Sequence, residues 1–112
     1  MIEELMDYEP LSQVWFVHDY IQLQFQDRTL TILNEPRLHL PSGEALARCD
    51  SGFCDNLVLQ IGESIEGAVL EEQSHFTLQF SSGVALNVPL TRDAARCAEA
   101  LELPGAWIIF NE

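Results

Sequence analysis

Residues 20–25, YIQLQF, and residues 75–80, HFTLQF, share the core Leu-Gln-Phe and are followed by the same kind of sequence. After each copy comes a short polar turn and a second apolar alternation, which contains Leu30 in the first case and Leu86 in the second. Apolar and polar residues alternate with the period of two that is typical of a half-buried strand. Each stretch is therefore predicted to form an antiparallel β-hairpin.

The two hairpins extend to three strands each, because apolar residues around Val14 and Val69 precede the two copies. Equivalent residues are 55 positions apart before the hairpin turn and 56 after it, so the second turn holds one extra residue. Surface turns tolerate such insertions. We predict a single, mainly β domain with an internal duplication, about residues 12–33 and 63–89. Its two repeated antiparallel β-meanders would form a sandwich or a partly closed roll.

The C-terminal part of the chain predicts one helix and one strand. Thr91 is a suitable N-cap, and four small or apolar residues spaced i, i+3, i+4 and i+7 predict a helix over about 91–101. These four are Ala94, Cys97, Ala98 and Leu101. Pro104 and Gly105 end the helix. Residues 106–110, AWIIF, are apolar on both faces, so we predict a final buried strand.

Composition places the chain among folded proteins without a membrane span. Of its 112 residues, 47% are hydrophobic and 21% are charged, which is too apolar for a disordered chain. No apolar run approaches the roughly 20 residues that a membrane helix needs. The amino terminus, MIEELMD, is acidic, the opposite of the basic start of a signal peptide. We therefore expect a cytoplasmic protein.

The charge is strongly negative, because 18 acidic residues accompany five arginines and no lysine, for a formal net charge of −13. Such a chain repels phosphate, which argues against nucleic acid and anionic membranes as partners. It attracts basic proteins through long-range steering. The candidate steering residues are Glu63, Glu66, Glu71 and Glu72. The alternative is that the acidity only maintains solubility.

Cysteine and histidine are the residue types from which a metal site would be built in this chain. Cys49 and Cys54 are separated by four residues, and zinc sites usually pair ligands as C-x2-C or H-x3-5-H. The other candidates are Cys97, His18, His39 and His75. No second pair matches the first, and Asp50 and Asp55 near Cys54 disfavour the thiolate that a nucleophile needs. We predict no metal site, no cofactor and reduced thiols.

Catalytic motifs are missing from the sequence. It contains no G-x-S-x-G, no glycine-rich phosphate loop and no H-E-x-x-H. Close carboxylate pairs such as Glu71 and Glu72 are expected by chance in a chain with 18 acids. We therefore predict that the protein is not an enzyme.

The two repeated strands carry no Asp, Glu, Arg or Lys on the faces that alternate with their apolar residues. The candidate interaction face consists of Tyr20, Gln22, Gln24, His75, Thr77 and Gln79. A neutral patch surrounded by charge resembles the centre of a protein interface. The alternative is a solvated sheet face, or a face covered by another layer of the same chain.

Residues 59–65, LQIGESI, and 76–88, FTLQFSSGVALNV, resemble a pattern found in a loose group of small bacterial all-β proteins. That pattern is I-G-x-x-I … L-x-F-x-x-G-x-x-L-x-V, and some members of the group are classed with immunity proteins of polymorphic toxin systems. The first copy departs from it, with Arg28 where the second copy has Gly83. The resemblance implies a toxin-neutralising or other protein-binding role and no catalytic residues.

Three functions are consistent with these observations. The first is a non-enzymatic, acidic protein-binding module, immunity-like, that neutralises a basic partner. The second is a metal- or small-ligand-binding domain that uses the cysteine loop. The third is a structural subunit that associates with itself as a homodimer through the neutral face.

Overall fold

Two five-stranded antiparallel sheets make up the part of the chain that the computed structural model describes, residues 2–71, 73–91, 97–105 and 107–111. A short 3₁₀ helix, Ile2–Asp7, precedes the first strand. The strands are β1 (Gln13–Phe16), β2 (Ile21–Phe25), β3 (Arg28–Ile32), β4 (Arg37–His39), β5 (Ala45–Ala47), β6 (Ile65–Glu71), β7 (His75–Phe80), β8 (Ala85–Pro89), β9 (Glu99–Leu103) and β10 (Trp107–Phe110). One α-helix, α1 (Phe53–Val58), lies between β5 and β6.

The strand order is β1-β2-β3-β9-β10 in sheet 1 and β5-β4-β8-β7-β6 in sheet 2. The predicted mainly β fold is confirmed, and the sheets are open rather than closed into a barrel. No helix within the described ranges is long and apolar enough to cross a membrane.

Each repeated stretch forms a three-stranded meander, one in each sheet, and the two meanders pair in equivalent registers. Leu23 lies opposite Leu30 in sheet 1, and Leu78 lies opposite Leu86 in sheet 2. Leu78 comes 55 positions after Leu23, and Leu86 comes 56 positions after Leu30, so the strand pairs match the spacing of the sequence repeat. The proposed origin of the two halves by duplication stays a prediction.

The core lies between the sheets, because the apolar residues of β2, β3, β7 and β8 point toward one common cluster. Leu23, Phe25, Leu78 and Leu86 are fully buried. Each such side chain stabilises the fold by about 1.5–3 kcal/mol relative to an exposed position. The ends of this core are closed by the 3₁₀ helix and by α1, which contributes two further buried residues, Phe53 and Leu57.

The prediction of a helix over 91–101 is wrong at its C-terminal end. Residues 92–96 lie outside the described part of the chain, but Glu99–Leu103 is strand β9. Leu101 lies opposite Ile32 of β3, and both side chains are buried in the core. A pairing partner that is distant in sequence therefore overrides the helical spacing of the small residues.

The prediction of a fully buried final strand is also wrong. β10 is the edge strand of sheet 1. Trp107 and Ile109 pack against the core, but Ile108 and Phe110 on the other face are 38% and 54% exposed. A strand that is apolar on both faces was expected at the centre of a sheet.

Two glycines in hairpin turns have positive φ angles and offer a matched test of turn conformation. Gly83, between β7 and β8, has a φ of +96°, and Gly43, between β4 and β5, has a φ of +95°. A Cβ at Gly83 would lie 3.3 Å from Cγ of Pro41, whereas a Cβ at Gly43 would meet nothing within 4 Å. We expect Gly43→Ala to lower the free energy of unfolding by about 1–2 kcal/mol through backbone strain. Gly83→Ala should cost more, as measured by urea unfolding. Equal losses would mean that the Pro41 ring moves aside freely.

Candidate interaction surfaces

The six neutral residues of the predicted interaction face lie on two separate surfaces. Gln22 and Gln24 alternate with the core residue Leu23, so they point away from the core on the outer face of sheet 1. Thr77 and Gln79 alternate with Leu78 in the same way on the outer face of sheet 2. Because the two sheets face each other across the core, these outer faces point in opposite directions.

The two end residues of the predicted face lie beside these strands. Tyr20 directly precedes β2, and its carbonyl oxygen accepts a hydrogen bond from Nη1 of Arg48 at 3.3 Å. His75 begins β7, and its Nε2 lies 3.7 Å from Oε2 of Glu71. Both side chains are half-buried.

On the outer face of sheet 1, the glutamines are held by threonines of the next strand. Nε2 of Gln22 donates to Oγ1 of Thr31 at 3.2 Å, and Oγ1 of Thr29 donates to Oε1 of Gln24 at 2.6 Å.

A cross-strand row of residues runs over all five strands of this face. Its members are Trp15, Gln22, Thr31, Glu102 and Ile108. The row is polar in the middle and apolar at both edges, where Trp15 and Ile108 are exposed.

The outer face of sheet 2 is flatter, because small residues occupy many of its positions. Those positions are Ala45, Ala47, Gly67 and Ala85. Nδ2 of Asn87 donates to Oγ1 of Thr77 at 3.0 Å across β7 and β8. Arg37 and His39 are exposed on β4. This face therefore carries an exposed arginine and an exposed histidine on a chain that is otherwise strongly acidic.

Of the four predicted steering residues, Glu66 and Glu71 are exposed along β6. Glu63 is half-buried, and its Oε1 accepts a hydrogen bond from Oγ of Ser81 at 2.9 Å. Glu72 lies outside the described residues. Two of the four are therefore available at the surface of one edge strand.

A larger group of carboxylates surrounds a depression that the sequence did not predict. Glu4, Asp7, Glu9 and Asp27 line this acidic depression, whose volume is about 510 Å³, together with Tyr8, Gln26 and Arg28. The guanidinium carbon of Arg28 lies 4.9 Å from the centroid of the Tyr8 ring, in a cation–π contact. The 3₁₀ helix that carries Glu4 and Asp7 packs against β6. The 3₁₀ helix therefore contributes to the acidic depression and also contacts the strand that carries Glu66 and Glu71. The density of acids near the amino terminus was the one signal that pointed to it.

A second unpredicted surface lies beside the edge strand β10. Here an apolar groove of about 280 Å³ separates β10 from the other sheet. Its lining residues are Leu70, Gln73, Leu90 and the four residues of β10. We call it the β10 groove.

The cysteines do not form a metal site in the described part of the chain. Cys49, Cys54 and Cys97 are free and exposed, and no three metal-ligating side chains come together among the described residues. Sγ of Cys97 donates to the carbonyl oxygen of Glu99 at 3.3 Å. The prediction that Cys97 lies in a helix over 91–101 is therefore wrong, since Cys97 is an exposed residue in the bend before β9.

No protein-family model, curated protein or solved structure matches this chain.

Proposed function

We propose that this chain is a non-enzymatic protein-binding module that engages a basic partner through its acidic surface. The observation that carries the proposal is the acidic depression, where four carboxylates surround one guanidinium group. That guanidinium group, of Arg28, is in contact with the Tyr8 ring. Additional negative charge from Glu66 and Glu71 lies along β6, which contacts the 3₁₀ helix.

The physical role of these carboxylates is to attract and orient the partner. A net charge of −13 raises the rate of encounter with a positively charged protein, and the local cluster decides which side is approached. Arginine side chains of a partner bind carboxylates through two parallel hydrogen bonds, which adds geometric selectivity to the attraction. The association rate should therefore fall steeply as salt is added.

The resemblance to immunity proteins suggests what this binding achieves. An acidic module that covers the basic active-site region of a toxin blocks access to that region without any chemistry of its own. We place this activity in the cytoplasm.

Capture of proteins from a lysate of the native cell at low and high salt tests the proposal. We expect a stoichiometric basic protein at low salt that is lost at high salt. The triple variant Glu4→Gln, Asp7→Asn, Asp27→Asn should slow association with that protein about tenfold, because the local field of the depression is removed. Surface plasmon resonance of the purified pair measures the rate.

The matched control is the triple variant Asp19→Asn, Glu44→Gln, Asp55→Asn, which neutralises the same number of exposed acids elsewhere. It should slow association less than threefold. A captured partner that is acidic, or an equal loss with both triple variants, would contradict the proposed role of the depression.

A second candidate is self-association, which is favoured by the exposed Trp15 and Ile108 at the two edges of sheet 1. Sedimentation velocity over a wide concentration range distinguishes the two. A dimer that Gln24→Glu disrupts would place the interface on the outer face of sheet 1. A monomer at high concentration would leave the binding of a basic partner as the better explanation.

A further inference from the structure

We propose that β10 is the docking site for an extended basic segment of the partner, which would add to sheet 1 as a sixth strand. This inference rests on the proposed function in that the partner is basic. It goes further, because it names the element of this chain and the conformation of the partner segment. The mode is β-augmentation, in which main-chain hydrogen bonds provide affinity and alternating side chains provide selectivity.

Within the part of the chain that the structure describes, β10 is the least protected of the four sheet edges. Its four residues, Trp107–Phe110, carry no charge and pair with β9 on one side. Natural edge strands are usually protected by charges, bulges or covering segments, because their free N–H and C=O groups template the addition of another strand. An uncharged edge with large apolar side chains therefore indicates that something pairs with it.

The edges of sheet 2 show the protection that β10 lacks. β6 carries the exposed Glu66 and Glu71, and the 3₁₀ helix packs against it. β5 is only three residues long. Addition of a strand is hindered at both of these edges.

The second edge of sheet 1 is also partly covered. α1 packs against β1. The segment before β1 is held by the loop after α1, since the Leu11 N–H donates to the Glu63 carbonyl and the Gly62 N–H donates to the Leu11 carbonyl. Arg48 donates to the carbonyl oxygens of Val17 and Tyr20 just beyond the end of β1. Among the described residues, β10 is therefore the edge of sheet 1 with the least cover.

The β10 groove supplies the apolar contact for an added strand. Leu70 and Leu90 line it on the side of the opposite sheet, and Trp107 and Ile109, the core-facing residues of β10, line it on the other side. Side chains on one face of the added strand would cover these residues. Their burial would contribute about 25 cal/mol for each square ångström removed from water.

The carboxylates next to β10 favour a basic segment. Glu102 of β9 lies directly opposite Ile108, and Glu99 lies opposite Phe110. A residue of the added strand opposite Ile108 would be two strands away from Glu102, about 9–10 Å. A lysine or arginine at that position spans this distance, with its aliphatic stem over Ile108 and its charge at the carboxylate.

A second copy of this chain is the less favourable occupant. Its β10 would add four apolar residues and no cation. Each copy would also bring a net charge of −13 to the interface. A segment that alternates basic and apolar residues satisfies both the groove and the carboxylates.

The test uses a blocked eight-residue peptide of alternating arginine and valine, titrated into the ¹⁵N-labelled protein and followed by NMR. We expect the chemical-shift changes to concentrate in β9, β10 and the groove residues Leu70 and Leu90. The same peptide with glutamate in place of arginine should not bind. A version with N-methyl groups on alternate backbone amides should bind at least tenfold more weakly, because it cannot complete the strand pairing.

Two protein variants and one matched control locate the site. Ile108→Lys should weaken the peptide at least tenfold, because it places a cation and a hydrated side chain on the docking edge. Glu102→Gln should weaken it several-fold and reduce the salt dependence, without changing any groove residue. Val69→Lys adds the same charge at an exposed aliphatic residue of β6, 52% exposed, and should change binding less than twofold. The spectrum of each free variant establishes that it is folded.

Shift changes confined to the acidic depression, or unchanged affinity in Ile108→Lys and Glu102→Gln, would overturn the assignment of β10. The proposed function would survive that result if the basic partner is still captured from the lysate. Peptide binding at β10 with no basic partner in the lysate would instead contradict the proposed function. Chemical shifts of β10 that change with protein concentration in the absence of peptide would mean that a second copy of the chain, and not a basic segment, occupies the site.

Discussion

Phe25→Ala is expected to lower the free energy of unfolding by about 3–5 kcal/mol, a large share of the stability of a domain of this size. Phe25 is fully buried at the end of β2, so its removal leaves a cavity lined by core residues. Its ring also contacts the ring of Tyr8, with centroids 5.9 Å apart and planes inclined by 54°. Such a pair adds about 0.5–1.5 kcal/mol beyond area burial. Chemical denaturation followed by tryptophan fluorescence measures the loss.

Two comparison variants test whether the loss of stability in Phe25→Ala comes from the burial of the ring. Phe110→Ala removes a ring that is 54% exposed on β10 and should cost less than about 1 kcal/mol. Phe80→Ala removes the equivalent buried ring of the second meander and should cost about as much as Phe25→Ala. A small loss for Phe25→Ala would contradict the placement of this ring in the core.

Phe25 also connects the core to the acidic depression. The Tyr8 ring contacts both the Phe25 ring and the Arg28 guanidinium group, and both Tyr8 and Arg28 line the depression. We therefore expect Phe25→Ala to loosen the segment that carries Glu4 and Asp7, whereas Phe80→Ala should leave it in place. Hydrogen exchange of the amides in residues 4–9 distinguishes the two variants. The first repeated strand thus helps to position the candidate site through the contact of Phe25 with Tyr8, in addition to the packing of the 3₁₀ helix on β6.

The hairpins could be predicted from the sequence because their signal is local. In residues 20–25 and 75–80, each apolar residue lies two positions from the next, and that spacing alone places them on one face of a strand. The partner strand follows within a few residues, so that the turn sets the pairing. Sequence reasoning therefore reached the correct elements and the correct inward faces for β2, β3, β7 and β8.

The features that were missed depend on contacts between distant parts of the chain. Leu101 has helical spacing to its neighbours, yet it pairs with Ile32, which is 69 residues away. β10 has the composition of a central strand, but its position at the edge depends on the order of all five strands of sheet 1. The acidic depression joins Asp27 to residues near the amino terminus. Local periodicity contains no information about any of these three.

The two proposed surfaces are formed by different elements of the fold and would act over different distances. The acidic depression is built on the 3₁₀ helix and the turn between β2 and β3, and in our proposal it would attract the partner at long range. The β10 groove is built on β10 and residues of the opposite sheet, and in our proposal it would act only on contact. Attraction by the first and strand addition at the second would be separate steps, with salt affecting mainly the association rate.

Asn34→Asp is expected to lower the free energy of unfolding by about 2–4 kcal/mol, because this buried amide joins three parts of the fold. Asn34 is 2% exposed and follows β3 of sheet 1. Its Nδ2 donates to the carbonyl oxygen of Pro89 in sheet 2 and to Oδ1 of Asn111, both at 2.6 Å. Its Oδ1 accepts from Nδ2 of Asn111 at 3.2 Å. Aspartate has the same shape, but it places an oxygen against two acceptors.

The control is Asn87→Asp, which adds the same charge at a half-buried residue on the outer face of sheet 2. It breaks one hydrogen bond, from Nδ2 of Asn87 to Oγ1 of Thr77, and should cost about 1 kcal/mol. Thermal or urea unfolding of both variants gives the difference. Equal losses would mean that added negative charge, and not the buried amide pair, causes the destabilisation.

The same amide pair holds the strand that we propose as the docking site. The Asn111 N–H donates to the Ala98 carbonyl, and Nδ2 of Asn111 donates to the Cys97 carbonyl at 3.0 Å, so the residue after β10 is tied to the segment before β9. Asn34 then connects this junction to the opposite sheet through Pro89.

A double-mutant cycle of Asn34→Ala and Asn111→Ala should give a coupling energy of about 0.5–3 kcal/mol. Both single variants should also weaken the arginine–valine peptide, since β10 would no longer be held in register beside its groove. Unchanged peptide affinity in a folded Asn111→Ala variant would show that β10 keeps its position without this anchor.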